Sequence, residues 1–100
     1  MANDNPVLVS SVRWAEKRYL WACYLYYHGE QSPVDDTEHD ATERQLELTR
    51  DLWSDYFKSK LVDPSKQLKT QAHAITLTDE EIEDACMWSM YVEFVRKHCK

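Results

Sequence analysis

Apolar residues recur with helical spacing over three stretches of the chain. The first predicted helix runs from Val7 to His28. Leu8, Val12, Ala15, Tyr19, Ala22 and Tyr26 follow alternating steps of four and three, which places them on one stripe. Trp14, Trp21 and Leu25 form a second stripe, and Leu20, Cys23 and Tyr27 a third. Its first half keeps a polar face (Arg13, Glu16, Lys17), whereas its second half is apolar nearly all round, the mark of a helix central to its fold. Gly29 is a favourable C-terminal cap. Residues 1 to 6, ending at Pro6, read as a disordered lead-in.

Glu30 to Asp35 reads as a connecting loop containing Ser32-Pro33. A second helix is predicted from Asp35 or Asp36 to about Lys58. Either aspartate can cap free backbone N–H groups, and Asp35-x-x-Glu38 fits a capping box. The expected apolar face is Ala41, Leu48, Leu52 and Tyr56, flanked by Leu46, Trp53 and Phe57. Opposite lies a row of acids, Asp36, Asp40, Glu43, Glu47, Asp51 and Asp55, within about a third of the helix circumference at roughly 100° per residue. Residues 60 to 77 show no clear period and read as a long loop around Pro64. Leu61, Val62 and Leu68 are expected to tuck under it, with one helical turn over Ser65 to Thr70. The third helix opens with the capping box Thr78-x-x-Glu81, with acids in its first turn and Arg96, Lys97 and His98 in its last. Its apolar stripe is Ile82, Ala85, Ser89 and Val92, with Cys86, Trp88, Tyr91 and Val95 alongside. The expectation is one all-α domain over residues 1–100: a helical hairpin plus a third C-terminal helix, a small orthogonal three-helix arrangement.

Composition supports this expectation. One glycine and three prolines in 100 residues leave little turn material for many short strands. A hydrophobic content of 43% with 30% charged residues fits a globule rather than a disordered chain. The formal charge of −6 argues against direct nucleic-acid binding, which requires a basic footprint, and favours a basic protein partner. Three cysteines, Cys23, Cys86 and Cys99, show no Cys-x-x-Cys spacing, so a reduced cytoplasmic setting is expected, the host cytoplasm if the chain is phage-encoded. The apolar run Tyr19 to Tyr27 is too short to span a bilayer, and no membrane association is expected.

The residues around the first turn carry a resemblance. Tyr26-Tyr27 precede the turn, and Asp36-Thr37-Glu38-His39-Asp40 opens the next helix. This pairing resembles the N-terminal nicotinamide-recognition subdomain of NAD-dependent DNA ligases, over some forty residues. Leu61-Val62-Asp63 and the closing helix are similar to short stand-alone phage proteins described as DNA-ligase-like. The resemblance implies a site for the nicotinamide mononucleotide half of NAD. In that site Tyr26 would stack on the ring, and Asp36 and Asp40 would supply helix-start carboxylates, with Tyr27 and His39 alongside. A cationic pyridinium is attracted to an aromatic face, and carboxylates accept hydrogen bonds from a carboxamide or ribose hydroxyls. Two departures stand out: His39 occupies a position where the family has tyrosine, and Tyr27 one that is often histidine. No Lys-x-Asp-Gly occurs, so the chain lacks the lysine of nucleotidyl transfer. A non-catalytic module is expected, requiring no cofactor, with NAD or nicotinamide mononucleotide as candidate ligand.

Plainer readings stand beside each signal. Tyr26 and Tyr27 can be hairpin packing, Asp36 a cap, and Cys23 and Cys86 core residues. Asp36, His39, Asp40 and His28 match no established metal spacing. No nucleophile–base pair is present, and His98-Cys99 at the terminus has no activating partner. The acidic row is ordinarily a solvated face. Its sharper reading is the alternative function: an acidic interaction or inhibitor protein that grips a basic host protein through Asp40, Glu43, Glu47, Asp51 and Asp55. As a mimic of duplex DNA the row is too sparse, one charge per about 5–6 Å against one per about 1.7 Å. Either a monomer or a helix-mediated homodimer is compatible with the excess of aromatics.

Overall fold

A computed structural model describes residues 5–28 and 35–98; its regular elements are all helical, with no strand among the described residues. Four α-helices follow in order: α1 (Pro6–Tyr27), α2 (Asp36–Leu48), α3 (Asp55–Ser59) and α4 (Asp79–His98). Short 3₁₀ turns lie at Arg50–Leu52, Leu68–Thr70 and Ala72–Ala74. No described helix is long and apolar enough to cross a membrane.

The start of α1 is sharper than the expected lead-in. The Asn5 side chain accepts from the N–H groups of Val7 (2.9 Å) and Leu8 (3.3 Å), and Pro6 takes the first helical position, where its missing N–H costs nothing. Residues 1 to 4 and Gly29, the expected cap, lie outside the described residues. α1 packs against α2, against α4 and against the turn Ala72–Ala74, which explains why its second half is apolar on every side. Val12, Ala15, Tyr19, Leu20 and Cys23 are its share of the core.

The predicted second helix does not reach Lys58; it ends at Leu48. The Thr49 hydroxyl turns back to donate to the carbonyls of Gln45 (2.9 Å) and Leu46 (3.2 Å), and the Thr49 N–H bonds Leu46 O at 3.1 Å, tightening the last turn. After the 3₁₀ turn, Trp53 and Ser54 are extended, and the Ser54 hydroxyl caps α3 by accepting from Phe57 N at 3.1 Å. The buried face is mostly the one expected at the flanks, although Leu52 of the expected apolar face packs partly against the core. Leu46, Trp53 and Phe57, expected at its flanks, are buried, whereas Leu48 is 81% exposed and Tyr56 also faces solvent. The Trp53 indole N–H donates to Leu46 O at 2.8 Å, so its polar edge is satisfied inside the core.

The bend is fastened to α1 by a residue assigned from sequence to a polar face. Glu16 is only 2% exposed. Its carboxylate accepts from the Ser54 N–H and hydroxyl, both at 2.8 Å, and from Arg13 at 3.3 Å. Arg13 also donates to Leu52 O at 2.6 Å. A buried carboxylate survives only with such partners.

The segment after α3 is a core element rather than an unstructured loop. Leu61, Leu68, Ala72 and Ile75 are buried beside Tyr19 and Leu20, whereas Val62 points outward. Gln71, itself buried, acts as an internal staple: its amide accepts from Asp63 N at 2.9 Å and donates to Asp63 O at 2.8 Å. Arg50 ties the same segment to the end of α2, donating to Pro64 O (2.7 Å) and Lys66 O (2.6 Å) while pairing with Glu47 (2.6 Å) and lying over Trp53. The Thr78–Glu81 box forms reciprocally at 2.8 and 3.3 Å. α4 rests on α1 through Ala85 and the Trp21–Trp88 contact; Cys86 and Tyr91, expected beside its inward stripe, are exposed.

Replacing Glu16 should therefore release the bend. Glu16→Ala is expected to lower the unfolding free energy by about 2–3 kcal/mol, the scale of hydrogen bonds to a buried charge, and Ser54→Ala by about 1 kcal/mol. Urea unfolding checks both. A loss below about 0.5 kcal/mol for Glu16→Ala would mean that packing alone sets the bend.

Candidate functional site

The site forms where the end of α1 meets the first turns of α2. Tyr19, Cys23 and Tyr26 succeed one another at steps of four and three, so their side chains share one side of α1. Asp35, the N-cap of α2, accepts from Glu38 N at 2.8 Å and starts the helix. That start swings His39 over the α1 stripe. The His39 ring lies parallel to Tyr19 (1° between planes, centroids 5.1 Å apart) and nearly parallel to Tyr26 (9°, 6.4 Å).

Beneath it is a buried polar cluster. The fully buried Tyr19 donates its phenol proton to Glu43 Oε2 at 2.6 Å, and Cys23 Sγ lies 3.8 Å from His39 Nε2. Burial, reinforced by Cys23 and then by Glu43, drives the Tyr19 phenol far above its usual range. Burial likewise pushes the Cys23 thiol up to about 12, with Tyr19 pulling weakly the other way. Neither group is a nucleophile near neutral pH. Tyr27 is raised by its own desolvation and then by Cys23, Tyr26 and Glu43.

Above the cluster a cavity of about 270 Å³ is lined by Tyr26, Tyr27, His39, Asp40 and Glu43, with Lys69 and Ala72 on the far wall. Tyr26 and Tyr27 meet edge to face at 4.9 Å and are each about half exposed, leaving ring surface free. Asp40, Glu43 and Lys69 also line an adjoining depression with Arg44 and Glu47. The lining offers an aromatic face, two carboxylates and a cation. Chemically it suits a planar cation carrying hydroxyls and an anionic tail.

Of the ligand residues read from sequence, Tyr26, Tyr27, His39 and Asp40 line one cavity. Asp36 opens α2, and its side chain lies outside the described residues. Of the acids assigned to a partner-binding face, Asp40, Glu43 and Glu47 stay in register on α2 and line one depression, whereas Asp51 and Asp55 lie beyond the helix end at Leu48. Glu43 holds the Tyr19 phenol, and Glu47 pairs with Arg50 and accepts from Leu68 N at 3.4 Å. Asp51 belongs to a 3₁₀ turn and Asp55 to α3. Sequence reasoning missed Lys69 and Ala72, which come from a segment without periodicity, and it named Glu43 only for the partner face, not for the cavity it lines beside Asp40. The position of Tyr19 on the stripe of Tyr26 was the available hint. Among the described residues, no three His, Cys, Asp or Glu side chains converge as a metal site requires. Cys86 is an exposed free thiol. No protein-family profile, no curated protein and no solved structure matches the chain.

The raised pKa values of Tyr19 and Cys23 set an alkaline limit. Tyr19 and Cys23 hold protons more tightly folded than unfolded, so stability is complete below the unfolded thiol's value of 9.0 and falls as pH rises towards about 12. Urea midpoints are expected to be level from pH 7 to 8 and to drop above pH 9. At pH 8 iodoacetamide should modify Cys86 while Cys23 stays unmodified until the protein unfolds. Equal labelling of the two by peptide mapping would contradict the buried cluster.

Proposed function

We propose that the chain is a small non-catalytic module that binds a nicotinamide mononucleotide group in the cavity between α1 and α2. The observation that carries this reading is the convergence of Tyr26, Tyr27, His39 and Asp40 on one open cavity with Glu43. A pyridinium ring is a flat cation. It gains most where an aromatic face and carboxylates meet it together, and least where either stands alone. Tyr26 supplies the face. Asp40 and Glu43 supply charge and acceptors for the carboxamide and ribose. Lys69 and Arg44 line the adjoining depression and could meet a phosphate there. At about 270 Å³ the cavity sits at the lower edge of the about 300–1,000 Å³ usual for small-molecule sites, which favours one nucleotide half over a whole dinucleotide.

The buried Tyr19–Glu43 pair gives the site its rigidity. Glu43 is held from below, so its orientation does not have to be bought from ligand binding. The chain carries no Lys-x-Asp-Gly, and on this reading its role ends at recognition.

Thermal unfolding with added ligand tests the assignment. Nicotinamide mononucleotide at tenfold excess over its dissociation constant is expected to raise Tm by about 6–11 °C. The reduced, uncharged-ring form should bind at least about tenfold more weakly, since the cation–π and carboxylate attraction is lost. Asp40→Ala and Tyr26→Ala should each abolish the shift, whereas Asp55→Ala, remote on α3, should preserve it. No shift at millimolar ligand, or equal binding of both redox forms, would remove the reading.

A further inference from the structure

α4 buries only one residue fully along its whole length, Ala85. Its inward side, Ile82, Trp88, Ser89, Val92 and Val95, is half-covered by the rest of the fold. The opposite side carries Met87, Met90, Tyr91 and Phe94, exposed by 60%, 71%, 67% and 61%. Their spacing of three, one and three makes them a single stripe. Four large apolar side chains at such exposure present on the order of 500 Å² of surface, beyond the few hundred usually left bare on a monomer.

The charges around this stripe indicate what covers it. Asp79, Glu80 and Glu81 occupy the first turn of α4, Glu83 and Asp84 follow, and Arg96, Lys97 and His98 occupy the last turn. The stripe thus runs from an acidic end to a basic end on one helix. A partner helix matching it must present the reverse order, and α4 of a second copy laid antiparallel does so. With the twofold axis between Met90 and Tyr91, Met90 faces the partner's Tyr91 and Met87 faces the partner's Phe94. Glu83 then meets the partner's His98, and Asp84 meets the partner's Lys97. Every contact occurs twice, as an isologous interface demands.

We propose that the chain forms a twofold dimer through antiparallel pairing of the outer faces of α4. The patch on two copies supplies on the order of 1,000 Å² before the flanking charged stems are counted, the threshold for a specific interface. Methionine at two of the four central positions lets the facing aromatics seat without demanding one rotamer. The formal charge of −6 on each copy opposes association in dilute buffer, and at physiological salt a Debye length of about 8 Å removes most of that opposition. The interface lies on a different helix from the α1–α2 cavity, so dimerisation and ligand binding are independent properties of the chain.

Sedimentation equilibrium of the full chain at about 0.15 M salt tests this proposal. A dimer with a dissociation constant in the micromolar range is expected. Met90→Glu should weaken it at least about 100-fold, because it buries two unpaired charges across the axis. Circular dichroism should stay unchanged, since Met90 is exposed in the single chain. Asp84→Lys and Lys97→Asp should each weaken the dimer by about three- to tenfold, and the double exchange should restore it, which only antiparallel pairing of these two positions predicts. A monomer at about 200 µM, a dimer indifferent to Met90→Glu, or a double exchange no better than the single ones would overturn the proposal.

Discussion

One carboxylate inside the protein decides how the chain closes on itself. Glu16 sits in the middle of α1 and takes two hydrogen bonds from Ser54. That contact joins the centre of the first helix to the point where the chain leaves α2 and begins α3. The turn redirects the chain between Leu46 and Phe57 while Leu46, Trp53 and Phe57 all stay in one core cluster. With it, Phe57 is buried against Tyr19 and the chain returns across α1 through Leu61, Leu68, Ala72 and Ile75. A buried carboxylate is a poor source of net stability but a strong selector of geometry, since any other arrangement would leave it unpaired.

The same closure builds the candidate site. Its floor comes from α1 and α2, while its far wall, Lys69 and Ala72, is delivered by the segment that the bend sends back. Tyr19 links the two layers, packing on Phe57 in the core and donating its proton to Glu43 at the site. The polar cluster below the cavity is buried enough to weaken Tyr19 and Cys23 as acids, and the half-exposed Tyr26 and Tyr27 above it retain free ring surface. A rigid interior beneath accessible aromatic rings is what a recognition site for a flat ligand requires. α4 stands apart from this construction: it covers one side of α1 and keeps its own apolar stripe in solvent.

Residue pattern alone determined the helical class, the extent of α1, and both ends of α4. Those features depend on local spacing and capping, Thr78 with Glu81 above all, and survive whatever surrounds them. Tyr26, Tyr27, His39 and Asp40 were grouped by the family resemblance rather than by pattern, and all four line one cavity. Three matters were decided only by tertiary structure. α2 stops at Leu48, where Thr49 bonds back to Gln45 and Leu46 and Ser54 is taken by Glu16, and a count of apolar positions cannot foresee those contacts. Glu16 reads as a surface acid until Ser54, 38 residues later, arrives to bond it. Lys69 joins the site through a segment without periodicity, held by Gln71 and Arg50, whose partners are backbone carbonyls that sequence pattern cannot distinguish. Local geometry is written in the order of residues; which distant group satisfies a buried charge or fills a wall is fixed only when the chain is folded.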